Sequence, residues 1–260
     1  MIKRFFSQAW LNAKVHQGGL NLTEFLAYRV GISISTLILY VLIAQHTTGG
    51  ADLTSWVVGN AFALCVYECI FSLGGTFNAE RFNGRLRAII VSPTSKLTVI
   101  MYNGLSSIFV AFLTISSAFI VGGLIFGVSF TDLNISMFTL AILTAAFTCV
   151  GLGLMLAVFA LITDSMFLML NTLAFLIIIF SGANFPVSQL PLAAQWFANI
   201  FPLYRSVAAA NLSMGGTLSL EFGRLLIGEL ILGLCYYLSA FALIKIIERI
   251  AIRKATLEMF

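Results

Sequence analysis

Charge is scarce in this chain. Asp, Glu, Lys and Arg make up only 9% of its 260 residues, against about 25% in a soluble domain. With 60% hydrophobic residues and a mean hydropathy of +1.03, it has too little polar surface to stay in water. A soluble globular protein is excluded. Histidine is nearly absent: His16 and His46 belong to opposite membrane faces, too far apart to act together. The four cysteines, Cys65, Cys69, Cys149 and Cys235, fall inside apolar stretches with no histidine at metal-binding spacing. They read as small apolar fillers, and no metal site is expected. There is no G-x-x-x-x-G-K-[ST] to cradle nucleotide phosphates, no G-x-S-x-G, no H-E-x-x-H and no aspartate-rich diphosphate motif. No catalytic residue can be named. The N-terminus also lacks an apolar core long enough for a cleavable signal peptide.

What is present is a series of apolar stretches. Six of them, at roughly 27–45, 53–76, 98–128, 134–162, 166–183 and 224–247, approach the ~20 helical residues needed to cross a bilayer core. The third lies in an uncharged run from Leu97 to Thr131 and is long enough to tilt. The expected fold is an all-α integral membrane protein with six transmembrane helices in one domain spanning 1–260, since no internal repeat breaks the pattern.

The basic residues set the orientation. Lys3, Arg4, Lys14 and Arg29 precede the first span. Arg81, Arg85, Arg87 and Lys96 lie between the second and third, and Lys245, Arg249, Arg253 and Lys254 end the chain. Only Arg205 and Arg224 fall on the other side. Basic residues in short loops are retained in the cytoplasm, so both termini and the loops at 77–97 and 163–165 are expected there, in a multi-pass protein of the cell membrane. The formal charge of +4 is then a sum of loop charges facing anionic lipid, not a nucleic-acid signal.

Three segments do more than cross. Residues 2–16 place Ile2, Phe5, Phe6, Ala9, Trp10 and Ala13 at helical spacing, opposite Lys3, Arg4 and Lys14. That pattern fits an interfacial amphipathic helix, or a soluble helix packed on a partner. In the loop at 77–97, Phe82, Leu86, Ile89 and Ile90 share a helix face ringed by Arg81, Arg85 and Arg87, and Pro93 stops the helix. A hydrophobic ridge ringed with charge fits a groove in a cytoplasmic partner, or the lipid surface. The external segment 184–223 carries three of the four prolines, Pro186, Pro191 and Pro202, and no charge lies between Asp164 and Arg205. It reads as short helices dipping back into the outer leaflet.

Two acids lie inside spans. A charge at mid-membrane costs ~2.5–3.5 kcal/mol on insertion scales, so each must be protonated, paired or facing water. Glu68 either lines a translocation path or pairs with Arg29. Glu229 is expected near the outer surface within reach of Arg205 or Arg224. Gly123 with Gly127, and Gly31 with Ser35, mark faces where helices could approach closely.

This arrangement resembles the permease subunit of type-2 ABC exporters over nearly the whole chain. Two local matches are more specific. Glu80-Arg81 followed by Gly84, Leu86 and Ser92-Pro93 is similar to the family's coupling region between spans two and three. Ser181-Gly182, Phe185-Pro186, Leu190-Pro191 and Phe201-Pro202-Leu203 are similar to its stretch after span five. The resemblance implies a half-transporter that binds no cofactor itself. A separate ATP-binding-cassette subunit would carry ATP and Mg and hydrolyse the nucleotide, and a second permease copy, identical or homologous, would complete the path. It implies coupling through Glu80, Arg81, Gly84, Arg85, Leu86, Arg87 and Pro93. It implies a path lined by Tyr40, Asn60, Tyr67, Glu68, Asn171 and Phe175, and an external gate near Gly182, Pro186, Pro191 and Pro202.

The cargo is less legible. The chain has 24 Phe but only 7 Tyr and 3 Trp, and Phe offers area without a hydrogen-bonding handle. This favours an amphipathic cargo such as a drug, lipid-like metabolite or antimicrobial peptide over a polysaccharide or teichoic-acid-like glycan. The rivals from other classes are a proton-coupled carrier or channel using Glu68, and a membrane scaffold.

Overall fold

The structure, a computed structural model, describes residues 21–49, 53–75, 96–160, 163, 165–216 and 219–253. The N-terminal helix expected at 2–16 and the loop at 77–97 lie outside these residues, except that Lys96 and Leu97 open a helix. Among the described residues every regular element is helical.

Helix α1 (Leu22–Thr48) starts where the Asn21 N–H donates to Glu24 Oε2 at 3.0 Å. It stops where Gly49 turns left-handed (φ 67°) and returns its N–H to the Gln45 carbonyl. Helix α2 (Thr54–Cys65) runs without a break into a π-helical stretch, Val66–Phe71, and a last turn, α3 (Ser72–Gly74). Helix α4 spans Lys96–Phe126. Helix α5 (Ile135–Phe159) is capped by the Asn134 side chain, which accepts the Met137 N–H at 3.2 Å. Then come α6 (Met166–Phe180), the short α7 (Leu192–Ala198), α8 (Tyr204–Ser213) and α9 (Leu220–Arg253).

Among the described residues, five stretches are long and apolar enough to cross a membrane: Ala27–Thr47, Thr54–Gly74, Gly104–Phe126, Ile135–Phe159 and Leu220–Ile246. The stretch expected as the fifth span is apolar, but its helix α6 has only 15 residues, about 22 Å of rise. Ser181 and Gly182 (φ 75°) turn the chain at its far end. The last helix begins at Leu220, ahead of the expected position 224, because Ser219 Oγ accepts the Phe222 N–H and starts it early.

The helices are unequal in burial. Most residues of the Thr54–Gly74 stretch and of α5 are buried, while most of those in the α1 and α9 stretches are not. Thus α2 and α5 form the centre, and α1, α4 and α9 wrap it. Phe62, Phe119 and Phe138 fill the heart of the α2–α4–α5 junction, with ring centroids 5.7 Å (Phe62–Phe138) and 4.3 Å (Phe119–Phe138) apart.

Close helix approach occurs at glycines other than those expected. A Cβ on Gly151 would stand 3.1 Å from the Gly233 carbonyl oxygen, so α5 and α9 nearly touch by their backbones. Gly31, by contrast, faces open space. Gly127 ends α4 in a left-handed turn (φ 71°), and Gly123 makes room for the Phe130 ring rather than for a neighbouring helix. Small residues four apart mark a face but not what that face meets.

Two ends of the bundle matter below. The first, the arginine end, holds Arg29 and the close of the α2–α3 unit. The other, the proline end, holds the start of α2 and the segment 181–216.

Candidate functional site

At the arginine end the π-helical stretch rotates the side chains of Tyr67 and Glu68 relative to a regular α-helix, a device common at functional sites. Glu68 is buried (5% exposed), and Arg29 Nη1 donates to its Oε2 at 3.1 Å. Of the two roles open to Glu68, pairing with Arg29 is therefore observed. Tyr67 points the other way. It is 41% exposed and its ring stacks on Phe71 at 5.4 Å. The neighbouring turn is tied to α4, where Ser107 Oγ donates to Ser72 Oγ at 3.3 Å.

The other residues expected along a path separate into two groups. Asn60 is buried and donates Nδ2 to the Trp56 carbonyl one turn earlier (3.0 Å). Tyr40 is half-buried on α1. Asn171 and Phe175 lie one turn apart on α6 and both face outward, Phe175 with 65% of its surface exposed. Tyr67, Asn171 and Phe175 are thus open to whatever surrounds this chain, whereas Asn60 and Glu68 are enclosed by it. The residues expected to couple to an ATP-binding subunit, Glu80, Arg81, Gly84, Arg85, Leu86, Arg87 and Pro93, lie outside the described residues.

The proline end is the more elaborately built. After α6, Ser181 Oγ donates to the Ile178 carbonyl (3.1 Å) and accepts the Ala183 N–H (3.2 Å), folding the turn over Gly182. Pro186 leads into a short 3-10 turn, Val187–Gln189, and Pro191 caps α7. Gln195 clasps that entry, donating Nε2 to the carbonyls of Ser188 (3.2 Å) and Leu190 (2.8 Å). Helix α7 turns Leu192, Trp196 and Phe197 outward, an apolar face suited to lipid. The rings of Phe180 and Phe201 stack 5.2 Å apart, closing the segment back on α6.

Pro202 then delivers Leu203 into a left-handed conformation (φ 79°), the sole non-glycine residue with positive φ among those described. A bulky residue there stores strain that its surroundings must hold in place. The holder is Glu229 of α9. It is fully buried, and its Oε1 accepts the Leu203 N–H at 2.8 Å, at the point where α8 begins. A carboxylate at a helix N-terminus meets unsatisfied N–H groups and the positive end of the helix dipole. Thr148 of α5 donates Oγ1 to the Glu229 carbonyl (3.1 Å), and the Tyr236 hydroxyl donates to the Ile200 carbonyl. Arg205, expected within reach of Glu229, does lie close enough to act on it electrostatically, while its guanidinium donates to the Asn199 carbonyl (3.1 Å) and Oδ1 (3.2 Å). Sequence reasoning placed Glu229 near the right arginine but missed its main-chain partner. The signal available was a proline just ahead of a helix start, opposite an acid in a span.

Among the described residues, nothing in this geometry pairs a nucleophile with a base. Among the described residues, no group of three His, Cys, Asp or Glu side chains is placed to hold a metal ion. The arrangement is one of helices tied to each other at two ends, with a pinned, proline-broken segment at one of them. No curated protein matches the chain. The family model for the ABC-2 type transporter matches residues 5–214, from ahead of α1 to the end of α8. A match over most of the length, on a bundle whose described residues form only helices, five of them fit to cross a membrane, identifies the chain as a member of the ABC-2 type transporter family and a permease component of such a transporter.

Proposed function

We propose that this chain is the membrane half of an ATP-driven exporter, working as a dimer of permeases with a separate ATP-binding subunit that carries ATP and Mg. The observation that carries the reading is the family match over residues 5–214 in a chain without a phosphate-binding loop. In this reading six passages bring both termini to the cytoplasm, with the shorter α6 completing the fifth in company with the turn at 181–183. The arginine end is cytoplasmic, and the loop carrying Arg81, Arg85 and Arg87 docks on the ATP-binding subunit. The proline end is external. The outward-facing Asn171 and Phe175, with Tyr67 nearby on the π-helical stretch, support a path formed against a second permease, since this chain leaves them uncovered. The cargo is amphipathic: a drug, a lipid-like metabolite or an antimicrobial peptide.

Export by this route requires that reversing the charges at Arg85 and Arg87 uncouple ATP hydrolysis from transport while leaving membrane insertion intact. Copurification of the ATP-binding subunit, followed by ATPase assays with and without cargo, measures this. Normal pumping with the loop scrambled would sink the docking assignment. Labelling of position 85 from outside intact cells would sink the orientation. The rival proton-coupled carrier has less support, because Glu68 is engaged by Arg29 rather than free to shuttle protons.

A further inference from the structure

The carboxyl of Glu229 uses one oxygen and leaves the other idle. Oε1 accepts the Leu203 N–H at 2.8 Å, while Oε2 is buried and without a hydrogen-bond partner among the described residues. Ser206 Oγ, in the first turn of α8, is buried and unpaired as well. It stands close enough to the Glu229 carboxyl to act on it. An idle acceptor beside an idle donor is an unused hydrogen bond, and both residues lie where no solvent reaches them. We propose that Glu229 and Ser206 form a two-seat latch on the strained Leu203. In the first seat, the one described, Glu229 holds the Leu203 N–H. In the second, the carboxyl turns to the Ser206 hydroxyl and Leu203 relaxes to a negative φ. The proposal deepens the exporter reading and rests on it for its place in transport, where Ser206 is a positioning residue for the external segment.

The first argument is the empty cap. Helix α8 has Leu203 at its N-cap, where a side-chain oxygen ordinarily accepts an N–H two or three residues further on. Leucine has no such oxygen. Glu229 brings one from α9, yet it takes the N–H of the cap residue itself. The ordinary position, beside Arg205 and Ser206, is the second seat, and the Arg205 N–H also acts on the carboxyl.

The second argument is the strain. A bulky residue at φ 79° persists only while its surroundings hold it, and such outliers cluster in switch regions. Rotation about the N–Cα bond of Leu203 swings its N–H together with the chain before it and leaves the chain after it in place. One motion therefore relieves the strain and frees the carboxyl. Helix α8 keeps its first bond, from the Val207 N–H to the Leu203 carbonyl at 2.7 Å.

The third argument is what is fixed and what is not. Thr148 holds the main chain of Glu229, so the moving part of α9 is a single side chain. Upstream, Arg205 holds Asn199 and Tyr236 holds Ile200, which confines the swing to Phe201–Leu203. The Phe201 ring is stacked on Phe180 of α6, the helix whose Asn171 and Phe175 face outward. A change of seat thus reaches the helix proposed to line the path.

The test is hydrogen exchange at the Leu203 amide, in the whole chain in phosphatidylcholine nanodiscs. Ser206→Ala removes the second seat and no bond of the first. Exchange at Leu203 should slow about fivefold, the factor for one hydrogen bond lost from the released state, with thermal unfolding unchanged. In a Glu229→Leu background exchange should be faster than in the parent. Adding Ser206→Ala there should change nothing, since Ser206 acts only through Glu229. Unchanged exchange in the single Ser206→Ala variant would overturn the proposal. So would faster exchange with a lowered unfolding temperature, the mark of a water bridging the two idle atoms. A Ser206→Ala effect that persists beside Glu229→Leu would overturn it too. Neither ATP nor cargo enters the measurement, so the latch can stand while the exporter reading fails, and the reverse.

Discussion

Glu68 and Glu229 are both carboxylates buried inside apolar helices, and the bundle answers them differently. Glu68 sits near one end and is met by a cation from the neighbouring helix, Arg29, at 3.1 Å. Glu229 sits near the other end and is met by the main-chain N–H of Leu203, at 2.8 Å, where a helix begins. The first solution matches charge with charge and depends on the ionised state of both partners. The second needs only an acceptor oxygen, and it fixes a backbone conformation that would otherwise relax. One ties two spans together, and the other pins a broken segment to a span.

Substitutions test this contrast with different severities. Arg29→Ala should have the largest effect, because it leaves Glu68 enclosed without its cation, and breaking a buried pair costs ~3–5 kcal/mol. Thermal unfolding in nanodiscs would register it. The double variant Arg29→Met with Glu68→Met should recover most of that loss, since apolar residues of similar volume often replace a buried pair at no cost. Failure to recover would mean that Arg29 acts through partners other than Glu68.

Gly59→Ala comes next. Its Cβ would lie 2.4 Å from the Ala183 oxygen, and overpacking of this kind costs ~1–3 kcal/mol. The turn at 181–184 should shift, which crosslinking between cysteines placed in the turn and in α2 would detect.

The sharpest comparison is Glu68→Gln against Glu229→Gln. An amide oxygen can still accept the Leu203 N–H, so Glu229→Gln should stay within about 1 kcal/mol of the parent. Glu68→Gln strips a charge-assisted bond, worth ~1.5–3 kcal/mol. Equal losses in the two variants would erase the distinction drawn between the two ends. Tyr236→Phe should be smallest, at ~0.5–1.5 kcal/mol for one hydrogen bond to the Ile200 carbonyl, with hydrogen exchange rising in residues 199–203.

The two ends also differ in how far the sequence disclosed them. Hydropathy located the long apolar helices within a few residues, because burial in lipid demands unbroken runs of apolar side chains. The pairing of Glu68 with Arg29 was one of two readings available from position alone, since two opposite charges at a similar depth attract. The π-helical stretch at Val66–Phe71 was not legible, because one residue of extra winding leaves the composition unchanged. The bond from Leu203 to Glu229 was not legible either. Its donor is a main-chain group, which sequence patterns do not distinguish. The glycine contacts failed for a related reason: Gly151 meets Gly233 through register between two helices far apart in the chain. For the residues expected along the path, the sequence named the helices, and only the fold separated the enclosed Asn60 from the uncovered Asn171 and Phe175.

Chain order adds a consequence to the two buried acids. A polypeptide emerges from its ribosome N-terminus first. Arg29 precedes Glu68, and Leu203 precedes Glu229. In each case the partner is already made when the acid enters the bilayer. Neither carboxylate has to wait, stranded in lipid, for a companion still to be translated, and reversing that order by circular permutation would expose how much biogenesis depends on it.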